Sequence, residues 1–363
     1  MTKKFQNTFI EFHILQSFPV TCLNRDDVGS PKTAIIGGRT RARVSSQCWK
    51  RAVRMAMHDY CNVKLGMRTK KLYEIISDEC IKQGAGEEQT EKCTDKIISF
   101  FADKDTLHFV SNGEAKAFAE YIKELEFDDS KIEKKEINKI AKNIKINDGL
   151  DIALFGRMVA KAPEQDIEAA SCFSHAISTH EISNEIDFFT ALDDFNNMEG
   201  TEDKTQGAGH LGSVEYNSAT YYRYISLNLG QLFETFGEDV KTEDINSAVE
   251  SFIKALYLAV PVAKQTSMSG ACSWDYAKIL VRNGQRLQIS FETSVKRQDG
   301  GYLKSSIEEL KQKLVDKEKA FGSLWEERGS YEIMDGNGVG IDDIISGIKK
   351  DIENIEQKER KNV

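Results

Sequence analysis

The residues best suited to chemistry form a single stripe. Gln47, Lys50, Arg51, Arg54 and His58 recur at the three- and four-residue spacing that sets side chains on one face of a helix. Trp49, Ala52, Val53, Ala56, Met57 and Tyr60 repeat that spacing on the other face, so the segment reads as an amphipathic helix. Ser45 or Ser46 suits its N-cap, which places free backbone N–H groups and serine hydroxyls at the head of a row of cations. That combination suits phosphate oxygens. No acidic residue stands four positions along to neutralise the row, as it would on an ordinary solvated face.

Other constellations are weaker. His175 and His180 are five apart, and in a strand an odd separation points the two rings to opposite faces, making them poor co-ligands for a metal. Asp26 and Asp27 are adjacent in a polar loop; they fit either metal-assisted nuclease groups or ordinary turn and salt-bridge residues. The run from Asp335 through Gly336, Asn337, Gly338, Val339, Gly340 and Ile341 starts like a calcium loop. However, Val339 and Ser346 stand where oxygen ligands belong, so it reads as a turn into the last helix. No serine-hydrolase elbow, zinc-protease helix or phosphate-binding P-loop occurs, and no metal or cofactor is expected. The seven cysteines are scattered without a C-x-x-C pair, which points to reduced thiols in a cytoplasm.

The elements that must hold the stripe follow from composition and pattern. The 363 residues are 40% hydrophobic and 29% charged, which excludes a disordered chain. No apolar run reaches membrane length and residues 1–15 lack an export signal, so no membrane partner is expected. The net charge of −9 argues against nucleic acid until its distribution is seen. Residues 28–58 contain no Asp or Glu but hold Lys32, Arg39, Arg41, Arg43, Lys50, Arg51 and Arg54: +7 in 31 residues, leaving −16 elsewhere.

Strands are predicted at residues 9–15 and 41–44, before the stripe. Residues 63–148 read as helical throughout, with helices at 71–82, 90–102, 115–125 and 132–146. The last carries Lys131, Lys134, Lys135, Lys139, Lys142 and Lys145 against Glu133 and Glu136, either a second cationic surface or a solvated face. Extended segments follow at 151–158, 172–180, 186–191 and 220–229, with a long polar arm over 193–218. A helix at 243–258, a hairpin pairing 277–281 with 286–291, a short strand at 331–334, and helices at 305–319 and 342–358 complete an α+β pattern.

Several runs resemble the CRISPR type I-E Cascade backbone subunit family (CasC). They are Thr21-Cys22-Leu23-Asn24-Arg25-Asp26-Asp27, Gly37-Gly38-Arg39, Arg43-Val44-Ser45-Ser46-Gln47, Asp151-Ile152-Ala153-Leu154-Phe155-Gly156-Arg157-Met158 and His175-Ala176-Ile177-Ser178-Thr179-His180. Further on come Ile186-Asp187-Phe188-Phe189-Thr190-Ala191, Gly209-His210-Leu211-Gly212, Tyr221-Tyr222-Arg223-Tyr224 and Ala263-Lys264-Gln265. The resemblance implies a ferredoxin-like, RRM-like palm (1–62 and 149–363), helical fingers (63–148) and a β-hairpin thumb (187–219). It implies a non-enzymatic subunit whose copies polymerise along CRISPR RNA beside other Cascade subunits and present bases to target DNA. Carried over, Asn24, Arg25 and Lys32 lie near the RNA, Ser45, Gln47, Lys50, Arg51 and Arg54 hold phosphates, and Met158 packs against bases. Arg39 and Arg41 of the basic tract complete the expected RNA-binding set. Phe189, Thr190 and Leu211 belong to the base-kinking thumb, and Lys131, Lys134, Lys135, Lys139 and Lys142 are candidates for target-DNA contacts. The absence of the usual RRM aromatic pattern fits gripping of the backbone over sheet-face base reading. Two alternatives stay open: a type III-like subunit cleaving RNA through Asp26 or Asp27, and a stand-alone RRM-like RNA-binding protein.

Overall fold

The computed structural model describes residues 4–101, 106–144, 148–191, 210–237, 239–334 and 336–361. The chain opens with β1 (Thr8–Thr21), a short β2 (Thr33–Ile36) and β3 (Arg39–Val44), the last two joined by Gly37 and Gly38, both at positive φ. Next come α1 (Ser46–Tyr60), β4 (Met67–Thr69), α2 (Leu72–Lys82), α3 (Glu87–Ser99), β5 (His108–Val110), α4 (Asn112–Glu124), α5 (Lys134–Asn143) and α6 (Leu150–Phe155). Then follow β6 (Ser171–Phe173), β7 (Ala176–Ser178), β8 (Glu185–Ala191) and the long β9 (His210–Asn228). The rest is α7 (Leu229–Phe236), α8 (Thr242–Leu258), α9 (Gln265–Met268), β10 (Tyr276–Asn283), α10 (Leu303–Phe321), β11 (Glu326–Met334) and α11 (Ile341–Lys361).

The architecture is α+β, as the sequence pattern predicts. One antiparallel sheet runs β11-β10-β1-β9-β7-β3-β2, with β6 and β8 also pairing with β9. β1 is central, hydrogen-bonded to β10 on one side and β9 on the other. Its alternation separates two layers. Ile10, Phe12 and Ile14 face a core shared with Trp49 and Val53 of α1, Phe252 of α8 and Ile348 of α11. Leu15 faces the opposite layer, where Tyr222, Tyr224 and Tyr276 lie under Ile289, Phe291 and the α10 residues Leu310 and Leu314. Each fully buried aliphatic or aromatic side chain contributes about 1.5–3 kcal/mol by area burial. A third cluster, including Ile76, Cys93, Ile97, Phe118, Ile122 and Ile137, gives α2–α5 a core of their own, into which Val159 and Ala162 also pack.

The structure corrects three local expectations. Residues 286–291 do not pair with β10, because β11 occupies that edge from Tyr276–Met334 to Asn283–Glu326, with a register shift between Val281 and Arg282. The segment instead crosses the sheet as a strap, with Leu287 N–H donating to Glu11 Oε1 at 2.7 Å and Phe291 O accepting from Arg41 at 3.0 Å. Residues 150–155 are helical, not extended; Leu150, Ile152, Ala153 and Leu154 are all buried, so no polar face marks the turn period. The region 63–148 also holds a two-stranded ribbon, β4 with β5. The arm predicted over 193–218 falls largely on 192–209, outside the described residues, as do Asp335 and Lys145. All seven cysteines are free. Among the described residues no helix is long and apolar enough to cross a membrane.

Candidate nucleic-acid interface

The cationic helix is fixed at its head. Ser45 is the N-cap of α1: its Oγ accepts from Cys48 N–H at 3.3 Å, and its own N–H donates to Asn24 Oδ1 at 2.9 Å. Asn24 O in turn accepts from Lys32 N–H at 2.8 Å, which clips the 22–32 loop to the helix start. Replacing such a cap by Ala costs about 1 kcal/mol. Trp49, Val53, Ala56 and Met57 are buried, whereas Tyr60 is exposed, departing from the predicted apolar face. Trp49 lies beneath the Arg223 guanidinium, 3.5 Å from its ring centroid. Burial lowers the Arg223 pKa to about 9.

Gln47, Lys50, Arg51 and Arg54 turn outward onto a cleft of about 890 Å³. Its far wall is the β4–β5 ribbon, with Arg68, Leu107, His108 and Phe109, and Met158 and Lys161 follow from the segment after α6. Local geometry explains why Met158 is presented. Gly156, at φ +76°, ends α6 where a Cβ would meet Ile167 O at 2.9 Å. Arg157 then turns inward: it pairs with Glu114 at 2.7 Å and donates to Phe109 O and Gln165 O. With its neighbour pinned, Met158 is left 85% exposed at the cleft. Lys50 Nζ sits 5.9 Å from the Phe173 ring and the Arg54 guanidinium 5.9 Å from the Phe109 ring. Arg54 also lies 3.8 Å from the buried carboxylate of Asp151. Burial raises the Asp151 pKa, while the Gly66 N–H and Arg54 draw it back down. His108 is pushed down by burial and then by Arg157, which favours a neutral ring at this wall. A row of cations opposite an apolar and aromatic wall suits a sugar-phosphate chain with its bases alongside.

The remaining predicted residues are dispersed. Asn24 and Arg25 line a second groove of about 930 Å³ on the other side of α1, and Arg51 borders both. Asp26 forms a turn there, its Oδ1 accepting from Val28 N–H at 3.0 Å and Ser30 N–H at 2.9 Å. Arg39 is exposed and pairs with Glu181 at 3.4 Å. Arg41 is a correction. It is 0% exposed, and its guanidinium donates to the carbonyl oxygens of Ser178, Phe291 and Glu292, so it fastens the strap and cannot reach a phosphate. In α5, Lys139 pairs with Glu136; just before it, Lys131 pairs with Asp128. Lys142 borders a separate groove with Glu164, Asp166 and Glu168, and neither Lys134 nor Lys135 lines the cleft.

β8 and the first part of β9 form a ribbon, from Glu185 opposite Tyr216 to Ala191 opposite His210. Phe188 is 70% exposed on it, and Phe189 covers Gly212, where a Cβ would collide with the ring. Thr190 and Leu211 face each other in register; their side chains lie outside the described residues. Tyr222, Tyr224 and His13 would make an aromatic platform on a bare sheet, but the strap and α10 bury them. Sequence reasoning missed Arg68, Lys161 and the Leu107–Phe109 lip, which sit in short segments with no periodicity to flag them.

A model of the CT1975-like protein family matches residues 10–337. Among solved structures, a chain described as "CRISPR RNA-guided surveillance complex, pre-nicking" is 25% identical, with a TM-score of 0.73 over 93% of this chain and 99% of that one. Another, described as "CRISPR RNA-guided surveillance complex", shares the fold at 23% identity and a TM-score of 0.60, over 95% and 99% of the two chains. No curated protein matches.

Proposed function

The chain belongs to the CT1975-like protein family, and from that premise we propose that it is a guide-RNA-binding backbone subunit of a CRISPR RNA-guided surveillance complex. The cleft carries this reading: four polar and cationic side chains from one helix face converge with an outward Met158 and an apolar lip. A protein serving any guide sequence must hold sugar-phosphate and leave Watson–Crick edges free, and lysine, arginine and glutamine all carry the N–H donors that phosphate oxygens accept. The resemblance of its sequence motifs supports a type I-E Cascade as the complex it joins. Its copies line up along the spacer beside other Cascade subunits, and the β8–β9 ribbon, with exposed Phe188, separates one guide segment from the next. Lys134 and Lys135 are the α5 residues best placed to meet target DNA, having no ion pair among the described residues.

The subunit binds without cutting. Of the adjacent pair Asp26 and Asp27, Asp26 is engaged by two turn N–H groups, which supports a turn role over a catalytic one. The deciding experiment is sequencing of the RNA that co-purifies with the protein. Repeat-flanked spacers are expected; an unrelated host RNA would overturn the assignment.

A further inference from the structure

Asp151 underlies the cleft and is 0% exposed. Its Oδ1 accepts the Gly66 N–H at 2.6 Å, while Oδ2 lies 3.8 Å from Arg54 Nη1 and has no hydrogen-bond donor. A buried carboxylate oxygen without a donor is costly unless a cation offsets it, and Arg54 is that cation. Gly66 marks where the chain leaves for the helical insertion, and Leu150, the neighbour of Asp151, donates to Lys64 O at 3.1 Å where it returns. The root is tight: a Cβ on Gly66 would meet Ile152 at 2.6 Å and Phe109 at 3.1 Å. Phe109 is the ring beside the Arg54 guanidinium. One carboxylate therefore contacts the outgoing segment of this root at Gly66, belongs to α6 where the chain returns, and faces the arginine on the cleft wall.

We propose that Asp151 is a positioning residue that holds Arg54 at the cleft in register with the root of the helical insertion, coupling RNA occupancy to the insertion's placement. The inference rests on the cleft being the RNA site. It differs from simple charge balance, in which Asp151 would only weaken Arg54's pull on phosphate.

Asp151→Asn separates the two ideas, because the amide oxygen still accepts from Gly66 while the charge facing Arg54 is gone. Guide-RNA binding would be measured across a salt series for wild type, Asp151→Asn, Arg54→Ala and the double variant. Positioning predicts a several-fold loss for Asp151→Asn and a log–log salt slope shallower by about 0.7, one single-strand phosphate contact. The double variant then binds like Arg54→Ala alone. An unchanged or steeper slope, or losses that simply add, would overturn the proposal. Amide exchange at Gly66 in the wild-type protein needs no variant: guide RNA should alter its protection, and identical exchange with and without RNA would also overturn the coupling. A wild-type protein that fails to bind guide RNA would sink the functional reading itself.

Discussion

The cleft wall and the covered face of the sheet use the same residue types to opposite ends. On α1, Lys50, Arg51 and Arg54 face the cleft, whose described lining holds no carboxylate, and the acid paired with Arg54, Asp151, lies beneath the wall. On the covered face, Arg282 is 2.5 Å from Glu11, and that carboxylate also accepts from Tyr224 Oη and Leu287 N–H. Arg41 is likewise surrounded by carbonyl oxygens. An arginine buried with most of its contacts inside the protein specifies how layers join; one left facing a concave surface is available to a ligand. The α5 lysines are a third case: off the cleft and partly paired, as Lys139 is with Glu136.

The contrast is sharpened most by cutting the covered face. Arg282→Met leaves the Glu11 carboxylate buried without its cation and should cost about 3–5 kcal/mol of stability, read as a lower urea midpoint. Whatever fraction remains folded should keep the wild-type salt slope for guide RNA, and a shallower slope would erase the distinction. On the cleft wall, a Lys50, Arg51 and Arg54 triple Ala variant should stay folded by circular dichroism. It should bind guide RNA about 100-fold more weakly, at about 1 kcal/mol per exposed ionic contact, with a slope shallower by about 2. Normal loading would remove the cleft from the interface.

Acid probes the covered face again. Burial, followed by Arg282 and Lys278, holds the His13 pKa down to about 3. Below the unfolded value of about 6.5 the unfolded chain takes up a proton that the native state refuses. This group's contribution is thus intact above pH 6.5 and lost as pH falls toward 3, by at most about 1.4 kcal/mol per unit. His108, His175 and His180 are lowered as well and add in the same direction. His13→Gln should flatten the fall in urea midpoint between pH 7.5 and 5.5, and an unchanged fall would contradict the assignment. The smallest effect belongs to α5: replacing Lys134, Lys135 and Lys142 by Gln should change guide-RNA affinity by less than about 2-fold.

What the sequence made legible was whatever is written locally. The two faces of α1, its serine cap and the outward row of Gln47, Lys50, Arg51 and Arg54 follow from helical period alone, and the structure sets them as read except for exposed Tyr60. Partners distant in the chain were not legible. Nothing near Arg41 announces Phe291 and Glu292, about 250 residues away. Nothing in 286–291 tells a strand from a strap when β11 takes the neighbouring edge. α6 was missed because it is six residues long and almost wholly buried. Arg68 entered the cleft through a three-residue strand too short for any pattern.

The central claim is that guide RNA lies between α1 and the β4–β5 ribbon. Ultraviolet cross-linking of the protein to guide RNA, followed by mass spectrometric mapping, tests it directly. Cross-links should fall on Met158, Phe109 and neighbouring residues of the cleft. Cross-links confined to α5, or to the tyrosines of the sheet exposed by displacement of the strap, would contradict it.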